Sequence, residues 1–355
     1  MSWPSSLRLE GSEVRLRNAQ RAVRIDLSDP RDPVSLAGGA HGGDPEVVAL
    51  ELDGPGHPAL HADERRATVL RSVDALNFAS SRFLPPADVV LRRFDGAGRA
   101  VDGARFDLDF HGDPDRWDRL SVSDAFLYRT QRTREDVARH VDLARWRFGT
   151  LTAAATPTPA PDLALRLEAP DGGPLRQHAR RHDDGATAFA SLAPDGRMAL
   201  WFQPLQEGAA PVGPFLLGDG WVTADVAVFG DRLLVVAGRG SPGAGVGEML
   251  VLGLERRGAT LSEVGRRVFV SHRESWLGGR QVVAFDGDFP YVYVAEGVMG
   301  APEGALLGFR WGDFEGPVGI TTVGVAATPA SFEVQGDAWV LTWADQLVVG
   351  QPWCD

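Results

Sequence analysis

Short apolar runs, each broken by a tight Asp/Gly turn and followed by a second apolar run, recur along the whole chain. In the C-terminal half, Asp225–Phe229 turns at Gly230-Asp231 into Leu233–Ala237, and Gln281–Phe285 turns at Asp286-Gly287-Asp288 into Tyr291–Ala295. Ser331–Val334 turns at Gly336-Asp337 into Trp339–Trp343. Glycine and aspartate tolerate the positive φ that hairpin turns require, and the β-branched and aromatic residues beside them suit strands. Weaker copies lie upstream, at Leu7–Leu9 with Val14–Leu16, Thr68–Val73 with Leu76–Phe78, Leu120–Val122 with Phe126–Tyr128, and Ala188–Leu192 with Met198–Phe202. Seven hairpins result, at a mean spacing of about 54 residues.

Further strand-like runs stand between the hairpins: Ala22–Ile25, Asp88–Leu91, Asp162–Leu167, Glu248–Leu254 and Ala305–Phe309. About four strands per unit of about 50 residues is the content and period of a propeller blade. The expected fold is therefore all-β, a single β-propeller over residues 1–355. Seven blades is the first expectation, and the unequal hairpin spacing leaves six and eight open. The first blade lacks a strand ahead of Leu7, and the final run Gln346–Val349 can supply it and close the ring, which would remove exposed sheet edges. One segment breaks the rhythm. Thr133-Arg134-Glu135-Asp136 reads as a capping box, with Val137, Val141, Ala144 and Phe148 on one helical face, which predicts a short helical insertion near 134–147. The Pro/Thr/Ala-rich stretch 150–161 that follows reads as an inter-blade loop, with a domain linker as the alternative.

The segment Leu192-Ala193-Pro194-Asp195-Gly196-Arg197-Met198-Ala199-Leu200-Trp201 resembles the Pro-Asp-Gly turn of TolB-like propeller repeats. Val23-Arg24-Ile25-Asp26-Leu27-Ser28-Asp29-Pro30 is similar to a strand of the LVIVD-type bacterial repeats. Both short motifs resemble the β-propeller superfamily as a whole and single out no family within it. They imply the same fold as the hairpin rhythm.

Composition mainly removes chemistries. The chain has no lysine, so all 36 basic residues are arginine, and Walker-type, Schiff-base and kinase-type lysines are excluded. Scarce Asn and Ile, together with the missing lysine, point to a GC-rich bacterial genome. Against 48 acidic residues the net charge is −12, a sign that opposes phosphate backbones, so no nucleic-acid partner is expected. The lone Cys354 forms neither an internal disulfide nor a cysteine zinc site, and its role stays open. The N-terminus has no basic and apolar leader pattern, and no apolar run reaches membrane-spanning length, so a soluble cytoplasmic protein without a membrane partner is expected.

Candidate chemistry is sparse. Gly238-Arg239-Gly240-Ser241-Pro242-Gly243 matches the dinucleotide fingerprint literally, but Pro242 and a following strand-like run replace the helix that such a site needs, so it reads as a hairpin loop. Asp109, His111, Asp113 and Asp115 form the densest group of potential metal ligands, yet the spacing fits no EF-hand loop. Solvated acids and no bound metal are expected there. Asp183, Gly185 and Thr187 match three positions of a sialidase Asp-box, with the flanking serine and tryptophan missing, and read as a turn. No GxSxG elbow, HExxH pair or other catalytic signature is present, so the catalytic residues are unknown and no cofactor is expected. The ten tryptophans read as blade filling, with Trp201, Trp339 and Trp343 inside hairpin strands. Trp276 differs, because it closes the polar run that begins at Ser271. The loop of His272, Arg273, Glu274 and Trp276 is accordingly the candidate surface for a protein partner, since arginine and tryptophan are enriched in binding hot spots. Its alternative is that Trp276 packs beneath its own blade. The functional expectation is a non-enzymatic binding or scaffold propeller in a bacterial multi-protein system. A hydrolase, lyase or lactonase with a channel-mouth site of loop Asp, Glu and His is the alternative.

Overall fold

The computed structural model describes residues 6–10, 13–17, 22–29, 34–36, 47–53, 88–94, 100–106, 116–122, 126–133, 139–147, 160–179, 185–240, 247–271, 281–286, 289–298, 301–323, 331–335, 338–343 and 346–350. Among them every regular element is a strand. The strands form seven antiparallel sheets, and within each sheet spatial neighbours are also neighbours along the chain. Consecutive four-stranded meanders of this kind are the blade topology of a propeller, and the fold class is all-β, of the β-propeller type. The chain divides into two compact units, residues 1–136 with 141–166, and residues 137–140 with 167–355.

The first unit carries two sheets and most of a third. Strands β1 (Ser6–Glu10), β2 (Glu13–Arg17), β3 (Ala22–Asp26) and β4 (Val34–Leu36) make the first. Strands β5 (Val47–Asp53), β6 (Asp88–Phe94) and β7 (Ala100–Phe106) make the second, and β8 (Arg116–Val122), β9 (Phe126–Thr133), β10 (His140–Arg147) and β11 (Leu163–Glu168) the third. The third sheet corrects the expected helix near 134–147. Residues 140–147 are the strand β10, and 134–138 lie outside the described residues. Val141 and Leu143 are both buried at a two-residue spacing, and Leu143 stands opposite Thr130 of β9 in an unbroken antiparallel register. Thr133, expected as a helix cap, is instead the last residue of β9 and pairs with Arg116. A cap contributes about 1 kcal/mol. Burial of Val141, Leu143 and Trp146 outweighs it, at roughly 1.5–3 kcal/mol for a large apolar side chain. The stretch 150–161 lies outside the described residues except for its last two.

The second unit holds four sheets. They are β12 (Leu175–His178), β13 (Ala186–Leu192), β14 (Met198–Pro204) and β15 (Val212–Leu216); then β16 (Val222–Phe229), β17 (Arg232–Gly240), β18 (Gly247–Arg257) and β19 (Thr260–Ser271); then β20 (Gln281–Asp286), β21 (Phe289–Val298), β22 (Ala301–Arg310) and β23 (Asp313–Val323); and finally β24 (Ser331–Gln335), β25 (Ala338–Trp343) and β26 (Gln346–Gly350). Six of the seven expected hairpins coincide with paired strands. The seventh, at Thr68–Phe78, lies outside the described residues. The expected role of the final run is corrected. It pairs with β25, Trp343 opposite Gln346, as the third strand of the last sheet rather than as part of the first. Only two residues separate β25 from β26, so this local pairing closes a very short loop at little entropic cost.

Within the second unit the first strands of successive sheets adjoin, β12 beside β16, β16 beside β20 and β20 beside β24. The sheets stack face to face, and this explains why the middle strands of the β16–β19 sheet are apolar along Leu233–Ala237 and Met249–Leu252. Leu233, Val235 and Ala237 of β17 face the β12–β15 sheet, packing with Leu200 and Phe202, while Leu234 and Val236 face the β20–β23 sheet, packing with Leu307, Phe309 and Phe314. A strand covered on both faces has no polar side to present. Phe314 sits where side chains of β18 and β19 would otherwise stand. A Cβ on Gly253 would lie 2.6 Å from its ring, and one on Gly265 would lie 2.5 Å from it. The ring stacks on Phe309 at 5.6 Å and meets Trp311 edge-on at 5.9 Å. On the other side of the unit Trp201 stacks on Phe189 at 6.2 Å and donates its indole N–H to the Ser191 hydroxyl at 2.9 Å, as blade filling requires.

Gly265→Ala is expected to lower the free energy of unfolding by about 1–3 kcal/mol, the usual cost of overpacking. Added to Phe314→Ala, it should cost much less than it does alone, because the ring that opposes the new methyl is gone. Denaturant unfolding of the two single variants and the double variant checks this, and full additivity would refute the seat.

Candidate functional site

Because both faces of the β16–β19 sheet are used in packing, its ends are left to carry chemistry. At one end the β12–β15 and β16–β19 sheets are joined by the connection Leu217–Trp221, which runs from β15 to β16. Leu217 is tied down by its N–H to the Met198 carbonyl at 2.9 Å. Beside it lies the turn Ala193–Arg197. There Gly196 takes φ +85°, its N–H donates to the Ala193 carbonyl at 2.9 Å, and the Ala193 N–H donates to the Arg197 carbonyl at 2.8 Å. Only glycine adopts that φ without cost, so the Pro-Asp-Gly spelling of the turn follows from its shape. Asp195 accepts the Arg197 backbone N–H at 3.1 Å and its guanidinium Nε at 2.8 Å. Those hydrogen bonds hold the Asp195 carboxyl below its ordinary 3.8 and push Arg197 up, with Asp219 adding to the second effect.

At the same end Arg239 is held by an aromatic ring and a carboxylate. The Arg239 guanidinium lies 4.6 Å from the ring centroid of the buried Trp221 and donates through Nε to Glu248 at 2.7 Å, with Nη2 at 2.5 Å from the same carboxylate oxygen. Gly220, at φ +75°, leaves room for its stem, since a Cβ there would come to 3.3 Å of Arg239 Cδ. The side chain remains 43% exposed. Two polar groups lie on the same β16 strand as it leaves Trp221. Thr223 is 8% exposed and its hydroxyl has no hydrogen-bond partner, and Asp225 is 1% exposed and accepts the Val226 N–H at 2.9 Å. The register slips by one residue between them, a bulge in the first strand of the sheet.

The loop and segment that leave this end include the sequence candidates. Gly240, the last residue of β17, pairs with Gly247, which in turn pairs with Ser271, the last residue of β19. Residues 241–246 therefore join two antiparallel strands, and the glycine-rich motif is followed by a strand and not by a helix. His272 comes next in the chain after Ser271, so His272, Arg273, Glu274 and Trp276 continue from the end that holds Trp221, Arg239 and Glu248. These four lie outside the described residues, as do Asp109, His111, Asp113 and Asp115 between β7 and β8. Among the described residues no group of three or more His, Cys, Asp or Glu could hold a metal ion, and no helix is long and apolar enough to cross a membrane. The Trp221–Arg239–Glu248 cluster escaped sequence reading. Its arginine sits inside the Gly238-Arg239-Gly240 spelling, which draws attention only to the glycines.

No protein-family model matches the chain, and no curated protein sequence matches it. Among solved structures the chain is similar to the β-propeller domain of the Trilobed protease from Pyrococcus furiosus, at 9% identity, covering 98% of this chain and 81% of that one with a TM-score of 0.39. It is similar to the N-terminal domain of Nup159, at 10% identity, 96% and 87% coverage and a TM-score of 0.40. A third likeness is to Hsv2p of Kluyveromyces lactis, at 9% identity, 91% and 98% coverage and a TM-score of 0.35.

Two outcomes are expected. Thr223→Val, which replaces an unpartnered buried hydroxyl by a methyl of the same shape, should leave the protein as stable or raise its stability by about 1 kcal/mol in denaturant unfolding. A loss would show that the hydroxyl is bonded. In an NMR titration Asp195 should ionise below 3.8, and Arg197→Gln should move its midpoint back up. A depressed folded-state value means that this stabilisation is present above the unfolded pKa and is lost as pH falls through the folded one. Asp195→Asn should remove that part of the acid response.

Proposed function

We propose that the protein is a non-enzymatic binding propeller, a cytoplasmic scaffold of a bacterial multi-protein system that takes a protein partner at the sheet end bearing Trp221, Arg239 and Glu248. The observation that supports this reading is the seating of Arg239. Its guanidinium is held by an aromatic face and a carboxylate, and the side chain still reaches solvent. An arginine ordered in advance loses less rotamer freedom when it meets a partner, so more of its contact energy appears as affinity. The chain leaves this end at Ser271, and the next residues in the sequence include His272, Arg273, Glu274 and Trp276, which we take as part of the same surface. Arginine and tryptophan are the residue types that dominate interface hot spots. The neighbouring pairs Asp195–Arg197 and Arg239–Glu248 are each neutral, as suits a polar rim, where such pairs contribute register more than affinity.

The test is affinity capture from the native host with the intact chain, with Arg239→Ala, and with Arg273→Ala combined with Trp276→Ala, alongside thermal unfolding of each. Partners recovered with the intact chain should fall at least about tenfold with either variant. The melting temperature should barely move for the double variant. Arg239→Ala should lose only the about 0.5–1 kcal/mol of an exposed cation–π contact. Unchanged partners for both variants, or lost partners that track a large fall in melting temperature, would overturn the reading.

A further inference from the structure

We draw no further inference here: the strongest candidate, the patch at the Phe229 end of the β16–β19 sheet, where the 44% exposed Phe229 stands opposite Arg232 and Arg232 stacks on Trp311, carries nothing because nothing in the structure shows what covers it.

Discussion

Face-to-face packing of successive sheets is the constraint on which the second unit depends. It is tightest where the Phe314 ring occupies the space above Gly253 and Gly265. The close approach forces two glycines into long strands, where glycine otherwise weakens a strand and is avoided. Once β18 and β19 admit that ring, Phe309, Trp311 and Phe269 can gather around it, and Met249 and Val251 close the layer beneath. The same packing on the opposite face of β17 and β18 engages Leu200, Phe202 and Trp221. Both faces of the middle strands are spent in this way, and chemistry is displaced to the strand ends. Trp221 links the two levels, since its ring is core while one of its faces carries Arg239.

The hairpins were legible because their signals are local. Pro194-Asp195-Gly196 and Gly230-Asp231 each spell a turn whose geometry glycine must satisfy, and the residues beside them are β-branched or apolar on both faces. Position 134–147 misled because two periodicities overlap there. Val141 and Ala144 fit a helical face, whereas Val141 and Leu143 fit a strand, and the choice was made by the β9 edge, which no local pattern reveals. The final strand misled for a related reason. Gln346–Gly350 is a good strand in any sheet, and its partner was decided by the short connection to β25.

The site was legible only in outline. Tryptophan and arginine in the run after Ser271 marked that segment in the sequence, and the pairing of Gly240, Gly247 and Ser271 puts its preceding residue at the sheet end that holds Arg239. Arg239 itself could not be found by reading, because what distinguishes it is a set of contacts from residues 18 positions before it and nine after it. The Thr223 hydroxyl and the Asp225 carboxylate belong to a bulge, and a bulge is a property of two strands and not of one. Both features are fixed by the packing of neighbouring strands and have no linear spelling.

The central claim is that partner binding occurs at the Trp221–Arg239–Glu248 end. Hydrogen–deuterium exchange of the full chain, free and with the captured partner bound, tests it most directly. The account predicts that new protection appears in residues 217–223, 238–248 and 270–280 and that the amides of β14, β17 and β18 away from that end, already protected by packing, do not change. Protection that instead appears around Phe229 and Trp311, or along the outer strand β19 away from Ser271, would contradict it.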